Sequence, residues 1–363
     1  MVRISLVFGF KNRDGLRVRR CLESLAKQEF DQFEVIFVDY GSETECRKEI
    51  EPIVKGYSFA KYIYCEMRGR PWNRAHALNI GIRLAQAEFV MMTDIDLIFS
   101  EFSLAKLVDG YDGRTALHPG CYYLPRKFDH WDNLYASRSK CEKSVPHALG
   151  LLLIPKEVLV RLGGYDEFYK FWGREDADLE QRLNRIGFET KFLDLDEYPL
   201  YHQWHPIQNS TTSSFMPSGY WTQALFHFGE YANIENRNEQ EKMGRLLEIS
   251  ERPALLYLDG KIKASLSLHE DPWLALELAK SFCSLKEGEA MEIHSHWIGP
   301  SAFWEKFAIR LNEALHKKDI GFFIDYKKNM AKQVFWNFID SYPDLIKDFA
   351  YTADEQKFYL VRK

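Results

Sequence analysis

What the sequence lacks narrows its function first. No apolar run is long enough to cross a bilayer: the longest, Ala148 to Ile154, falls far short of the roughly 20 residues a spanning helix needs. The opening stretch MVRISLVFGFKNRDG is apolar over too short a length for a secretory signal, and charge follows at once. Cysteines are few and scattered. None of Cys21, Cys46, Cys65, Cys121, Cys141 and Cys283 forms a CxxC pair or a zinc spacing. A chain this long needs no disulfide framework, so reduced thiols and a cytoplasmic setting are expected. There is no excess of positive charge either. The 48 basic and 53 acidic residues leave a net charge of −5, which gives no basis for nucleic-acid binding. Internal repeats and low-complexity tracts are absent.

What is there is globular. The chain has 363 residues, 46% hydrophobic and 28% charged, enough for a sizeable core; a prior of about 150 residues per domain predicts two domains, or one large domain with an appendage. Aromatics reach 15%, a surplus that can line a groove for a base or a sugar ring.

The first half alternates strand and helix. Arg3 to Phe10 and Phe33 to Val38 read as buried strands, Lys61 to Cys65 as a third and Phe89 to Thr93 as a fourth. Helices are expected between them: one with Leu16, Leu22 and Leu25 on a shared side, one over roughly Glu43 to Val54, and one over Asn73 to Ala85. This rhythm predicts an α/β fold with a mostly parallel sheet and right-handed crossovers. In such sheets ligands bind beyond the carboxyl ends of the strands, where Asp39, Asp94 and Asp96 fall. Further on, Ala148 to Ile154 reads as a strand, Lys156 to Leu162 as a short helix, Glu175 to Ile186 as a helix stopped by Gly187, and Thr190 to Leu193 as a strand. His202 to Pro206 reads as a polar, aromatic loop.

After about residue 230 the character changes. A charged helix over Glu235 to Ser250, a hairpin over Leu255 to Leu268 turning at Asp259-Gly260, helices near Pro272 to Cys283, Ser301 to Lys317 and Tyr326 to Ile339, and a last strand over Lys357 to Val361 are expected. The division is 1–234 for a catalytic domain and 235–363 for a smaller α+β module without a chemical motif.

Three clusters can carry chemistry. In extended backbone Asp94 and Asp96 point the same way, and neighbouring carboxylates call for protons or a hard cation between them; an acidic turn is the plain reading. Glu175 and Asp176 open a helix, where they complement its dipole. The same field keeps a carboxylate ionised, able to accept a proton from a hydroxyl. His202 and His205 can both face one metal, or be loop histidines beside Trp204; with a carboxylate they suit manganese-like cations. Asn12, Arg13, Asn73, Arg74 and Asn79 sit near strand ends or helix starts, where each can touch a nucleotide or serve as a cap.

The order of these pieces is specific. Asn12-Arg13, Val38-Asp39-Tyr40-Gly41-Ser42, Asn73-Arg74-Ala75 with Asn79, Asp94-Ile95-Asp96, Gly163-Gly164-Tyr165-Asp166, Phe171-Trp172-Gly173-Arg174-Glu175-Asp176 and His202 follow one another over residues 3–206. This series resembles glycosyltransferase family 2 of the GT-A fold, with a second half similar to the galactosyltransferase-type catalytic segment of β-1,4-galactosyltransferases and chondroitin polymerases. The resemblance implies a mixed, mostly parallel GT-A sheet and a metal-dependent, inverting hexosyl transfer from a UDP-sugar.

It also implies roles. Asp39 would hold uracil or ribose, with Tyr40 in place of the usual second Asp; Asp94 would contact ribose or donor sugar; Asn12, Arg13, Asn73, Arg74 and Asn79 would line the donor site, and Trp172 would wall the sugar pocket. Asp96 would ligate the metal, manganese before magnesium, with His202 or His205. Asp176, with Glu175 beside it, would bind and deprotonate the acceptor hydroxyl. The implied acceptor is a saccharide or lipid-linked saccharide, in surface polysaccharide assembly, with peripheral association at the inner face of the membrane. Two alternatives remain: the same fold using GDP-mannose or a dTDP-deoxysugar, which Tyr40 admits, and a non-catalytic glycan- or nucleotide-binding module.

Overall fold

The computed structural model describes residues 2–65, 67, 72–109, 111, 113–144, 150–167, 175–205, 243–244, 262–268, 274–295, 335, 338–339, 342, 344–352 and 357–363. These fall into two compact units, 2–205 with 243–244, and the residues from 262 onward.

The first unit opens with β1 (Ile4–Phe10), α1 (Gly15–Ala26), β2 (Phe33–Tyr40), α2 (Thr44–Lys55), β3 (Ala60–Cys65), α3 (Arg74–Leu84) and β4 (Phe89–Thr93). Parallel pairs join β1 to β2, β1 to β4 and β2 to β3. Their near-continuous apolar runs are what a strand covered on both faces requires. The side chains of Ile4, Leu6, Phe8, Val35, Phe37 and Met91 are buried in one core with Val18, Leu22 and Leu25 of α1, each worth about 1.5–3 kcal/mol for the larger aliphatics. On α1 the buried stripe is Val18, Cys21, Leu22 and Leu25, while Leu16 is 53% exposed, so Leu16 leaves the expected apolar side. Helix α3 packs directly on the sheet: a Cβ on Gly81 would stand 2.2 Å from Cγ1 of Val7.

The chain continues through β5 (Leu97–Phe99), α4 (Ser103–Val108), β6 (Thr115–His118), β7 (Tyr122–Tyr123), α5 (Leu134–Ser137), β8 (Glu142–Lys143), β9 (Leu152–Pro155), α6 (Lys156–Arg161), α7 (Glu175–Arg185), β10 (Glu189–Phe192) and β11 (Leu200–His202). The main sheet has seven strands in the order β10-β6-β9-β4-β1-β2-β3. Strand β9 is antiparallel to both β4 and β6, so the sheet is mixed. A second sheet, β5-β11-β7-β8, has strands too short for a period-2 pattern, and the sequence reading passed over it. It pairs His202 with Leu97 in antiparallel register. His202 therefore closes a strand rather than lying in the expected loop.

The second unit holds β12 (Ile262–Leu268), α8 (Leu274–Cys283), β13 (Ala290–Ser295), β14 (Ile346–Thr352) and β15 (Lys357–Arg362), in the sheet order β12-β13-β15-β14. Leu278, Phe282, Met291, Ile293, Phe335 and Phe358 share its core. The hairpin expected over 255–268 is not the pairing of its described half: β12 pairs in parallel with β13, and Asp259-Gly260 lies outside the described residues. The expected helices over 235–250 and 301–317 lie outside them too, apart from a turn at 243–244. All six cysteines are thiols. No helix among the described residues is long and apolar enough to cross a membrane.

Candidate active site

The chemistry-bearing residues gather at the carboxyl ends of β1, β2 and β4. Just past β1, Asn12 takes a left-handed backbone with φ of 49°. Its N–H donates to Ser42 Oγ at 2.9 Å, and its Oδ1 accepts the Glu43 N–H at 2.8 Å. Asn12 thus stitches the end of β1 to the end of β2. Arg13 follows; burial and the neighbouring Arg17 lower its pKa, with Asp96 and Asp94 opposing.

At the end of β2, Asp39 is fully buried. Its Oδ1 accepts the Ser42 N–H at 2.9 Å and its Oδ2 the Tyr62 hydroxyl at 2.6 Å. Burial and this bond push the Tyr62 phenol up. Tyr40, which stands where an acidic partner was expected, shares a hydrogen bond of 2.9 Å between its hydroxyl and Nδ1 of His76. Its ring packs edge-on to Trp72 at 5.7 Å.

Asn73 is the N-cap of α3, accepting the His76 N–H at 2.9 Å, and its Nδ2 donates to the Glu167 carbonyl at 2.6 Å. Asn79 is fully buried. It donates to the Tyr165 carbonyl and to Glu167 Oε1, both at 2.8 Å, and accepts the Tyr165 N–H at 2.8 Å. The turn it clasps needs glycine at 164, where φ is +70° and a Cβ would stand 2.3 Å from Asn79 Oδ1. Asp39 and Asn79 are thus both buried and hydrogen-bonded within the domain, Asp39 to Ser42 and Tyr62 and Asn79 to Tyr165 and Glu167.

The Asp94-Ile95-Asp96 segment is a turn, with the Leu97 N–H donating to the Asp94 carbonyl at 3.2 Å. A turn breaks the strand alternation, so the expected side-by-side carboxylates part company. Asp94 Oδ1 accepts from Arg74 Nε at 3.3 Å and Nη2 at 3.2 Å. Arg74 also reaches Glu175 Oε1 at 3.4 Å and the Gly150 carbonyl at 2.8 Å. Burial works against its charge, but Asp94 and Glu175 more than restore it and raise its pKa. Burial in turn pushes the Glu175 carboxyl above the ordinary range; Asp176 and Asp94 add to this and Arg74 opposes it. Glu175, Asp176 and Asp178 form the acidic first turn of α7, where the dipole favours them. Trp172 lies outside the described residues.

Asp96 faces the other way. His202 Nε2 is 3.5 Å from its Oδ1 and His205 Nε2 is 3.1 Å from its Oδ2. Burial raises the Asp96 carboxyl, yet the His205 hydrogen bond and the charges of His202, His205 and Arg17 outweigh it and hold the pKa low. Burial pushes His202 down, toward the neutral imidazole that a ligand must be. Ligand atoms of Asp96, His202 and His205 all lie within 4.8 Å of one another, the one such group among the described residues. Asp96 Oδ1 is buried without a hydrogen-bond donor. An orphaned carboxylate oxygen with two imidazole nitrogens fits a manganese-like divalent cation, and both histidines belong to the set.

Residues 5–164 match the family described as glycosyl transferase family 2, and residues 135–205 match the one described as the N-terminal domain of galactosyltransferase. The chain carries a family 2 glycosyltransferase domain. Its seven-stranded mixed sheet is the GT-A fold that this family implies. Over 185 residues, 48% of this chain and 20% of the relative, the chain is 26% identical to a chondroitin sulfate synthase 3 of Homo sapiens. Over 225 residues, 50% of this chain and 22% of the relative, it is 24% identical to a hyaluronan synthase of Pasteurella multocida. The match thus spans about a fifth of the length of these curated relatives.

The sequence reading missed Gln203. This residue of the glycosyltransferase domain is 1% exposed. Its N–H donates to the Asp96 carbonyl at 2.7 Å and its Nε2 to the Arg17 carbonyl at 3.1 Å, fixing the segment between the two histidines against α1. Arg182 was missed too; its guanidinium binds Asp178 at 2.7 Å and the Leu162 and Gly164 carbonyls at 3.0 and 2.8 Å. A glutamine flanked by histidines and an arginine on a helix carry no local signal of such roles.

Proposed function

We propose that residues 1–234 form a metal-dependent, inverting glycosyltransferase that moves a hexose from a UDP-sugar to a saccharide hydroxyl, with 235–363 as a separate module. Galactose, N-acetylgalactosamine or a similar sugar is the cargo, and surface polysaccharide assembly at the cytoplasmic face of a membrane is the setting. The observation that carries this reading is the convergence of Asp96, His202 and His205 beside the Arg74 link between Asp94 and Glu175, at the strand ends where α/β sheets bind ligands. Two glycan synthases among the relatives support it.

Asp176 accepts the proton of the acceptor hydroxyl as that oxygen attacks the anomeric carbon. The bond from that carbon to the UDP oxygen breaks on the opposite face, and its electron pair leaves with the diphosphate. One displacement inverts the centre, so an α-linked donor gives a β-linkage. Asp96, His202 and His205 would hold the cation, which supplies charge neutralisation to the leaving diphosphate. Arg74 keeps a positive charge among the carboxylates and orients Glu175 and Asp94. Asn12 and Arg13 lie at the end of β1 for donor contact, with Trp172 as a wall of the sugar pocket.

A donor screen by nucleotide release, with manganese and simple saccharide acceptors, tests the reading. Release from a UDP-sugar that depends on metal and acceptor is expected. Release from GDP-mannose or a dTDP-sugar alone would reassign the donor, and binding without release from any of them would leave a glycan- or nucleotide-binding module.

A further inference from the structure

Met243 and Gly244 lie past the division at 234, yet they belong to the first unit. Both are buried. Gly244 has a φ of +62°, and a Cβ there would stand 2.6 Å from the Asn79 carbonyl carbon and 2.7 Å from the Ile80 nitrogen, both backbone atoms of α3. Glycine alone lets the two backbones meet so closely. The Gly244 N–H donates to Glu167 Oε1 at 2.6 Å, the same oxygen that accepts from Asn79 Nδ2. The Met243 carbonyl accepts from Arg83 Nη1 of α3 at 2.8 Å. Its thioether covers the turn at Gly163-Gly164, where a Cβ on Gly164 would stand 2.4 Å from Met243 Sδ.

Helix α7 grips the same turn from another side. Arg182 donates to the Leu162 and Gly164 carbonyls and binds Asp178, which shares the first turn of α7 with Glu175 and Asp176. The Glu167 carbonyl accepts from Asn73, the N-cap of α3, and Arg74 beside it reaches Glu175. Hydrogen bonds and packing therefore run without a break from Met243 and Gly244 to the acidic start of α7. Asp96, His202 and His205 are carried by other elements, the turn after β4 and the end of β11. A clamp on the 163–167 turn acts on the acidic pair and not on the ligand set.

We propose that Met243 and Gly244 are positioning residues of the transfer step. They hold the 163–167 turn on α3, and through Arg182 and Asp178 that turn sets where Glu175 and Asp176 stand. The inference rests on the glycosyltransferase reading above and deepens it: the working unit draws two residues from beyond 234.

Variants of the full chain test it. Gly244→Ala drives a Cβ against the α3 backbone and displaces the clamp. Its kcat per folded molecule should fall about 10–100-fold, the cost of misplacing a reacting group by about an ångström. Its affinity for UDP with manganese should stay at the wild-type value. Glu167→Ala should behave alike, whereas Glu167→Gln, whose amide oxygen still accepts both N–H groups, should recover most of the loss. Hydrogen exchange gives a second readout that needs no turnover. The Tyr165 N–H donates to Asn79 Oδ1 at 2.8 Å, and in Gly244→Ala it should exchange about tenfold faster as the turn loosens. If Gly244→Ala does not fold, Met243→Ala removes the thioether without touching the α3 backbone and is read in the same two ways. Unchanged kcat per folded molecule overturns the proposal, as does UDP affinity that falls in step with kcat, or Tyr165 exchange equal to wild type. Absence of nucleotide release by the wild type would instead overturn the transferase reading, and the exchange of Tyr165 then decides the clamp by itself.

Discussion

Arg74 Nη1 stands 3.4 Å from Glu175 Oε1, and the two side chains are only 13% and 7% exposed. One guanidinium thereby ties the start of α3 to the start of α7, two elements 101 residues apart in the chain. The pair is costly to break from one side. Arg74→Ala leaves Glu175 buried without its cation and should lose about 3–5 kcal/mol of stability.

Glu175 gives this pair a pH signature. Burial holds its carboxyl above the ordinary value, so the folded state binds the proton more readily than the unfolded chain. That contribution is complete below the unfolded pKa and is lost as pH rises through the folded one. Glu175→Gln, which cannot ionise, should unfold at a higher temperature than wild type at neutral pH, and the gap should close on acidification through the ordinary carboxylate range. Thermal unfolding followed from about pH 4 to pH 8 reads this directly; a variant less stable than wild type at neutral pH contradicts it.

Asp176 sits one residue on, in the first turn of α7 and half-buried. As the group proposed to take the acceptor proton, it should matter to turnover and not to donor binding. Asp176→Asn should lower kcat by about 10²–10⁴-fold and leave the affinity for UDP with manganese unchanged. Turnover near the wild-type rate would remove Asp176 from the role.

Much of this architecture is legible in the sequence, for physical reasons that differ by element. Strands β1, β2 and β4 are buried on both faces, so their apolar runs stand out, and α3 announces itself by Asn73 and a small-residue face. The sheet β5-β11-β7-β8 is invisible because strands of two or three residues have no period to read. Yet it is what carries His202 to Asp96. The two carboxylates of Asp94 and Asp96 were expected together because strand alternation was extended one residue too far; the turn at 94–97 sends one to Arg74 and the other to the histidines. The sequence does not announce that Asn79 clasps the turn at Tyr165, because an asparagine that holds a backbone turn and one that holds a ligand have the same letter.

The Asp96, His202 and His205 set predicts metal binding that is measurable without substrate. Asp96→Ala should abolish manganese binding by the full chain, and His202→Ala and His205→Ala should each weaken it by at least tenfold, since each removes one ligand of the set. Acid should compete, because imidazoles bind metal only when unprotonated, so affinity should fall as the pH is lowered. Gln203→Ala frees the segment between the histidines from Arg17 and should weaken manganese binding about 10–100-fold, the usual cost of losing an outer-shell partner. Full activity in excess chelator would detach the site from the reaction.

His118 and Glu180 show how the fold aims α7. His118, 2% exposed, shares a hydrogen bond of 3.0 Å between its Nδ1 and the Leu151 carbonyl, and its Nε2 lies 3.1 Å from Glu180 Oε2. Glu180 also accepts the Thr190 hydroxyl at 2.8 Å. These bonds fasten the middle of α7 to β6 and β10, and the Arg182 contacts with the Leu162 and Gly164 carbonyls fasten its far end. The helix start, where Glu175 and Asp176 stand, inherits its position from both. His118→Phe keeps an aromatic ring to stack on Phe192, now 4.9 Å away, but removes the bond to Glu180. It should cost about 1–3 kcal/mol in unfolding free energy, the penalty for an orphaned buried polar group. If the bond positions α7, kcat per folded molecule should fall several-fold while KM for the donor holds. A purely structural bond would reduce the folded fraction alone and leave kcat per folded molecule intact, so kinetics corrected for folded fraction distinguish the two.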